Sequence, residues 1–258
     1  MALVSGAYFN PWYSSSSGSG AFHKPTTFGT LASVPDWSWF DTNHGFSRDK
    51  VDKVRADLEA KVLVSFGGSA TFNNFWSNFG SDPSSTTKRI DGALSGINAD
   101  GIDYDYQTEM TAEVAAGLAN VTKQVKSLGS KYVQTMSVLA GSYDVYEPII
   151  DTDSLDYVTV LCYDNEGMFT KDHPSGGWDW KKWMDLWRSK MAGKEKKLLV
   201  GCCIQYHQSM QYYADSSLVQ DVVEYCRTNG LGGVFFWWYS DDAPGAYNIG
   251  SLVEKVAS

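Results

Sequence analysis

Two aspartates and a glutamine stand at alternate positions in the segment Asp100-Gly101-Ile102-Asp103-Tyr104-Asp105-Tyr106-Gln107. In an extended strand successive side chains point to opposite faces, so Ile102, Tyr104 and Tyr106 share one face and Asp103, Asp105 and Gln107 the other. Two close carboxylates tend to share a proton, because ionising the second works against the charge of the first. Such a pair suits proton handling or the polarisation of a polar substrate group. Gln107 adds an amide that donates and accepts hydrogen bonds but has no acidic proton. A calcium loop does not fit: counted from Asp103, the sixth position is Thr108 rather than Gly and the twelfth is Val114 rather than Glu. Two other readings of the octapeptide alone stay open, a half-buried strand with one wet face and a magnesium site drawing on Glu109 or Asp164.

The elements that must position these groups follow a regular alternation. Short apolar runs at Ala7–Phe9, Lys61–Phe66, Gly101–Tyr106, Tyr132–Val138, Tyr157–Tyr163, Lys197–Ile204 and Gly233–Trp238 read as strands. Between them, Arg48–Ala60, Ser85–Asn98, Thr111–Leu128, Trp180–Met191 and Ser217–Asn229 read as helices, with Gly129 and Gly230 placed as C-terminal caps. Repeated βα units predict a parallel sheet, and a closed barrel needs an eighth strand. That strand is expected between Phe28 and Phe40, where Pro35 blurs the pattern. The expectation is one α/β domain over residues 1–258, a single (β/α)8 TIM barrel. In such a barrel the apolar face of Gly101–Tyr106 meets the helices, and the polar face enters the lumen and rises to the C-terminal mouth, where barrel enzymes place their chemistry.

Composition narrows the function classes. The chain has 258 residues and a formal charge of −9, which argues against nucleic acid, whose phosphates call for clustered Lys and Arg. No apolar run approaches the roughly 20 residues of a membrane span, and Met1-Ala2-Leu3-Val4-Ser5 lacks the basic-then-apolar pattern of a signal peptide. Most of the ten Trp, fifteen Tyr and twelve Phe must be core, but ten Trp exceed what packing alone usually recruits, and flat rings stack well on the C–H faces of sugars. Trp178 and Trp180 could line a sugar groove or simply pack, whereas Trp183 and Trp187, at i and i+4, read as core. Cys162, Cys202, Cys203 and Cys226 fit buried free thiols better than a disulfide framework at this length, and no Cys or His pair stands at zinc spacing. No metal and no cofactor is expected, and the chain is expected to be a monomer.

The octapeptide is similar to the D-G-x-D-x-D-x-E signature of glycoside hydrolase family 18, which holds chitinases, endo-β-N-acetylglucosaminidases and chitinase-like lectins. Further features occur in the family's order. Tyr8-Phe9-Asn10-Pro11-Trp12 resembles the first-strand Y-F-x-x-W, and Ser65-Phe66-Gly67-Gly68 the third-strand S-x-G-G. Met136 lies where the fifth strand often carries Met, and Tyr163-Asp164 ends the sixth strand as the family's Y-D does. Gly232-Gly233-Val234-Phe235-Phe236-Trp237 resembles the eighth-strand Trp motif. Two departures stand out: Leu161 replaces a Met, and Gln107 replaces the catalytic Glu.

The resemblance implies retaining hydrolysis of β-1,4-linked N-acetylglucosamine polymers in which the substrate's own acetamido oxygen attacks the anomeric carbon. By that scheme Asp105 orients the acetamide and Asp103 tunes Asp105, with Ser65 and Tyr8 as supports. Tyr163 bonds the acetamide, Asp164 contacts the distorted sugar, Trp237 floors the site, and Met136 belongs to the substrate wall. The implied partner is chitin or another N-acetylglucosamine-containing oligosaccharide, and the implied location is secreted, vacuolar or lysosomal. The family's extra α+β module between the seventh and eighth strands has no room between Gln205 and Leu231, which predicts an open, shallow groove. Gln107 leaves the general acid missing, and Glu109 is the nearest spare carboxyl. The chain as written is therefore expected to be inactive. Three readings account for this: an enzyme carrying a deliberate Glu-to-Gln change, a natural carbohydrate-binding protein, or an inhibitor or storage protein on the same fold.

Overall fold

The computed structural model describes residues 3–9, 27–34, 46–68, 73–107, 110–163, 180–203 and 216–237. Eight parallel strands close a barrel in chain order: β1 (Val4–Phe9), β2 (Phe28–Val34), β3 (Lys61–Gly67), β4 (Gly101–Asp105), β5 (Val133–Leu139), β6 (Tyr157–Leu161), β7 (Leu198–Cys203) and β8 (Gly233–Trp237). The seam between β8 and β1 pairs Val4 with Gly233 and Ala7 with Phe236. Seven α-helices are described: α1 (Arg48–Leu58), α2 (Asn73–Ser81), α3 (Pro83–Ile97), α4 (Ala112–Ser127), α5 (Tyr143–Ile150), α6 (Trp180–Lys190) and α7 (Ser216–Asn229). The fold is the (β/α)8 barrel that the alternation predicts.

Local chemistry fixes the element ends. Ser47 caps α1 by accepting the Lys50 N–H, Asp82 with Pro83 behind it opens α3 by accepting the Ser85 N–H, and Thr111 opens α4 by accepting the Val114 N–H. Gly129 and Gly230 take φ of +87° and +68°, as their expected capping role requires. The second strand ends at Val34, immediately before Pro35, which has no N–H to continue the ladder. Two helices, α2 and α5, have no counterpart in the sequence reading. The first is short and rich in Asn, Ser and Gly, and the second has eight residues with Pro148 inside.

Alternation divides the strand side chains between two cores. Tyr8, Phe28, Leu63, Leu199 and Phe235 pack inside the barrel, and a larger apolar layer joins the strands' outer faces to the helices. Trp187 is fully buried in that outer layer and Trp183 packs against it, as their spacing predicts. All four cysteines are free and buried. Among the described residues no helix is long and apolar enough to cross a membrane. Between β7 and β8 the described residues hold α7 and no further module. The rest of that connection, 204–215, lies outside them, and so does the expected depth of the groove on that side.

Candidate active site

The polar face of β4 enters the lumen as the alternation requires. Ser65 on β3, Asp103 on β4 and Thr135 on β5 lie side by side in register, with Gly67, Asp105 and Ser137 one step nearer the mouth. Asp103 is buried and surrounded by hydroxyls. Tyr8 Oη and Ser65 Oγ donate to its Oδ2 at 2.7 and 2.8 Å, and Thr135 Oγ1 donates to Oδ1 at 2.6 Å. Ser137 Oγ lies 2.7 Å from Tyr8 Oη and 3.4 Å from Asp103 Oδ1, so its single proton serves the tyrosine or the carboxylate. Three strands thus converge on one side chain with neutral donors, the arrangement that favours its charged form. Burial works the other way and raises the Asp103 pKa, while the bonds from Thr135, Tyr8, Ser65 and Ser137 pull it down. The Tyr8 phenol is raised by its own burial and then by the charges of Asp103 and Asp105.

Asp105 has a different shell. It too is buried, but among the described residues its side chain accepts only from Gln107, whose Nε2 lies 2.8 and 3.0 Å from Oδ1 and Oδ2. Burial first, and then the charge of Asp103, push its pKa up to about 8, and the Gln107 bond lowers it. With three firm donors already on Asp103, a proton shared by the pair belongs on Asp105. Gln107 is half-buried at the mouth, beyond the last residue of β4.

The turn after β3 comes close to this pair and explains the Gly67-Gly68 dipeptide. Both residues have positive φ, +117° and +92°, and a Cβ at Gly67 would fall 2.0 Å from the Asp105 carbonyl oxygen. Gly68 N–H donates to that same carbonyl at 2.8 Å. A side chain at Gly67 would push β3 away from the strand that carries the carboxylates, and one at Gly68 would be strained by its positive φ.

An aromatic wall faces the mouth. Tyr163 just after β6 and Trp237 at the end of β8 stack with ring centroids 5.7 Å apart and planes 14° from parallel. Trp237 is partly exposed and shares the inward parity of Phe235. Leu161, the replacement for a family Met, stands in register with Leu139.

The expected site residues fare unequally. Tyr8 and Ser65 are bonded to Asp103, Gln107 is bonded to Asp105, the charge of Asp103 acts on Asp105, and Tyr163 and Trp237 lie together at the mouth. Met136 is corrected: it stands in register with Tyr104, between the lumen-facing Thr135 and Ser137, so alternation turns it to the helix layer, where it is fully buried. Trp180 is buried edge-on to Tyr225 and so packs rather than lining a groove. Asp164, Glu109, Trp178 and Asn10–Trp12 lie outside the described residues. The sequence reading missed Thr135 and Ser137. The signal was the pair Thr135 and Ser137 within β5, two hydroxyls on alternate positions of the strand next to the carboxylates. Among the described residues no group of three His, Cys, Asp or Glu is placed to hold a metal ion.

By sequence the chain matches no family model and no curated protein. Its structure is similar to several solved ones. The glycoside hydrolase family 18 chitinase from the chitin utilization locus of Flavobacterium johnsoniae superposes with a TM-score of 0.78 at 16% identity, over 99% of this chain and 94% of that one. A glutamate-to-glutamine mutant of the class V chitinase from Nicotiana tobaccum, in complex with NAG4, gives 0.73 at 14% identity over 100% and 98%. The chitinase-like agglutinin from Robinia pseudoacacia gives 0.72 at 16% identity over 100% of both chains. End to end, the chain has the fold of the family 18 chitinases and of a chitinase-like agglutinin.

Proposed function

We propose that this chain is a chitinase-like protein of glycoside hydrolase family 18 that binds β-1,4-linked N-acetylglucosamine oligomers at the barrel mouth and leaves them uncut. The observation that carries the reading is the bond from Gln107 Nε2 to both oxygens of Asp105. It puts an amide beside the acetamide-orienting carboxylate, at the position where the family places its proton donor.

The described geometry is consistent with the parts of the family's scheme that fall on Asp103, Asp105, Tyr163 and Trp237. Asp105 holds a proton near neutral pH and can present it, or a carboxylate oxygen, to the acetamido group. Asp103, fixed by Tyr8, Ser65 and Thr135, supplies a steady negative field beneath it. The Tyr163 hydroxyl bonds the acetamide from the side and the exposed part of Trp237 stacks beneath the sugar, while the role of Asp164, outside the described residues, rests on the family resemblance alone. The acetamido oxygen then lies against the anomeric carbon, so the protein needs no nucleophile of its own and no metal or cofactor. Departure of the glycosidic oxygen requires a proton, and an amide has none to give. The reaction stops at the bound complex. The complex of NAG4 with a glutamate-to-glutamine chitinase mutant, and the agglutinin on the same fold, support binding without cleavage as a stable outcome.

Calorimetry with N-acetylglucosamine oligomers tests this. The chain should bind them, and Trp237→Ala should weaken binding by about 1–3 kcal/mol, the scale of one lost aromatic contact. Equal affinity in the variant would remove the sugar from this mouth.

A further inference from the structure

We propose that Tyr146 is a positioning residue: its phenol hydroxyl takes the place of the last rung of the β4–β5 ladder and sets the backbone from which Gln107 reaches Asp105. The proposal rests on the reading of Gln107 and Asp105 as the sugar-binding pair.

The register carries the argument. In a parallel ladder, bonds recur at two-residue steps. Here Val133 N–H donates to the Asp100 carbonyl at 2.9 Å, with Gly101 opposite Val133 and Asp105 opposite Ser137. Continuing the step from 133 and 100 brings Leu139 N–H to the Tyr106 carbonyl as the rung at the mouth. In its place stands Tyr146 from α5. Its hydroxyl accepts from Leu139 N–H at 3.4 Å and donates to the Tyr106 carbonyl at 2.9 Å. One side-chain oxygen has entered the ladder, and the two backbone groups it serves are held apart by its width.

The consequence falls on Gln107. The Tyr106 carbonyl belongs to the peptide plane whose other end is the Gln107 nitrogen, so fixing that oxygen fixes the plane from which residue 107 departs. β4 ends at Asp105, and this bond holds the carbonyl one residue further on. Tyr146 is itself held: it is buried, and its ring lies 6.3 Å from that of Trp187, whose Nε1 donates to the Ala140 carbonyl at 2.7 Å. The end of β5 is thus fixed by Trp187, and the exit of β4 is measured from it through one hydroxyl.

Three readouts test the assignment. In the native chain Leu139 N–H should exchange with solvent slowly, because the phenol covers it, and exchange at the open-chain rate would overturn the proposal. Tyr146→Phe removes only the hydroxyl, and in this variant the Gln107 side-chain amide signals in a 1H–15N spectrum should move. Affinity for N-acetylglucosamine tetramer should fall about 5- to 30-fold, the equivalent of one or two lost hydrogen bonds. Tyr143→Phe is the control for a merely loosened helix. Its hydroxyl, also on α5, bonds the Lys190 carbonyl, and its loss should leave the Gln107 amide in place. Gln107 amide signals in Tyr146→Phe that superpose on those of the native chain, or an equal shift in Tyr143→Phe, would contradict the positioning role. If the native chain binds no such sugar, the functional reading fails, while Leu139 exchange and the Gln107 amide still decide the role of Tyr146.

Discussion

Asp100 and Asp103 are three residues apart on the same run of chain, yet their surroundings are opposite. Asp100, at the base of the barrel, accepts from the Arg55 guanidinium at 3.0 and 3.1 Å and from the Val62 N–H at 2.8 Å. Asp156 repeats the device two strands on, pairing with Lys126 at 2.9 Å and with the Gln134 N–H at 2.9 Å. Each is a partly exposed carboxylate with a cation on one side and the second residue of a neighbouring strand on the other. Asp103 and Asp105 are buried and, among the described residues, bonded to no cation; their donors are hydroxyls and one amide. A cation would hold a carboxylate charged at any working pH. Neutral donors leave the upper pair able to keep a proton, as proton-sharing chemistry requires. The base staples strands, and the mouth stores a proton.

The largest test of this contrast supplies the group that the mouth lacks. Gln107→Glu should turn on hydrolysis of a fluorogenic chitobioside or trioside by about 10²–10⁴-fold over the chain as it stands, the usual contribution of a positioned general acid. The two side chains are nearly isosteric, and Asp105 beside the new carboxyl should raise its pKa toward that of an acid catalyst. A variant that still binds sugar but stays inactive would mean that the mouth lacks more than one catalytic group.

Stability should carry the next signature. The folded pKa of Asp105 lies above its unfolded value, near 3.9 for an aspartate. The stability it contributes is therefore full below about pH 4 and is lost as pH rises through its folded value of about 8. Urea denaturation at pH 5 and pH 9 should show this decline, and Asp105→Asn should reduce it by about 2 kcal/mol or more. A wild-type decline that persists unchanged in Asp105→Asn would place the proton elsewhere.

The smallest effect belongs at the base. Arg55→Ala breaks two partly exposed ion pairs, with Asp100 and Asp52, and should cost about 0.5–1 kcal/mol of stability with sugar affinity unchanged. A larger fall in affinity than in stability would join the two ends that the comparison separates.

What could be read from the sequence follows the range of each signal. The lumen-facing set of β4 was legible because a strand has a period of two and the octapeptide alternates without a break. Capped helices such as α4, opened by Thr111 and closed before Gly129, were legible for the same local reason. α5 was not, since its stripe of Tyr143, Tyr146, Ile149 and Ile150 spans barely two turns and Pro148 falls inside it. The bonds from Thr135 and Ser137 depend on which residues of β5 lie opposite Asp103 and Asp105, which the sequence does not show, and Met136 was singled out by family resemblance rather than by register. Tyr146 was beyond reach, because a rung replaced by a hydroxyl is visible only once the register is known.

The most direct measurement of the central claim needs no variant. The native chain is titrated with N-acetylglucosamine tetramer in a calorimeter, and the sugar is then recovered and weighed by mass spectrometry. The account predicts binding heat with a saturating isotherm and tetramer recovered intact after prolonged incubation. Recovery of dimer or monomer would show that another acid serves the glycosidic oxygen, and the assignment of Gln107 as the missing proton donor would be wrong.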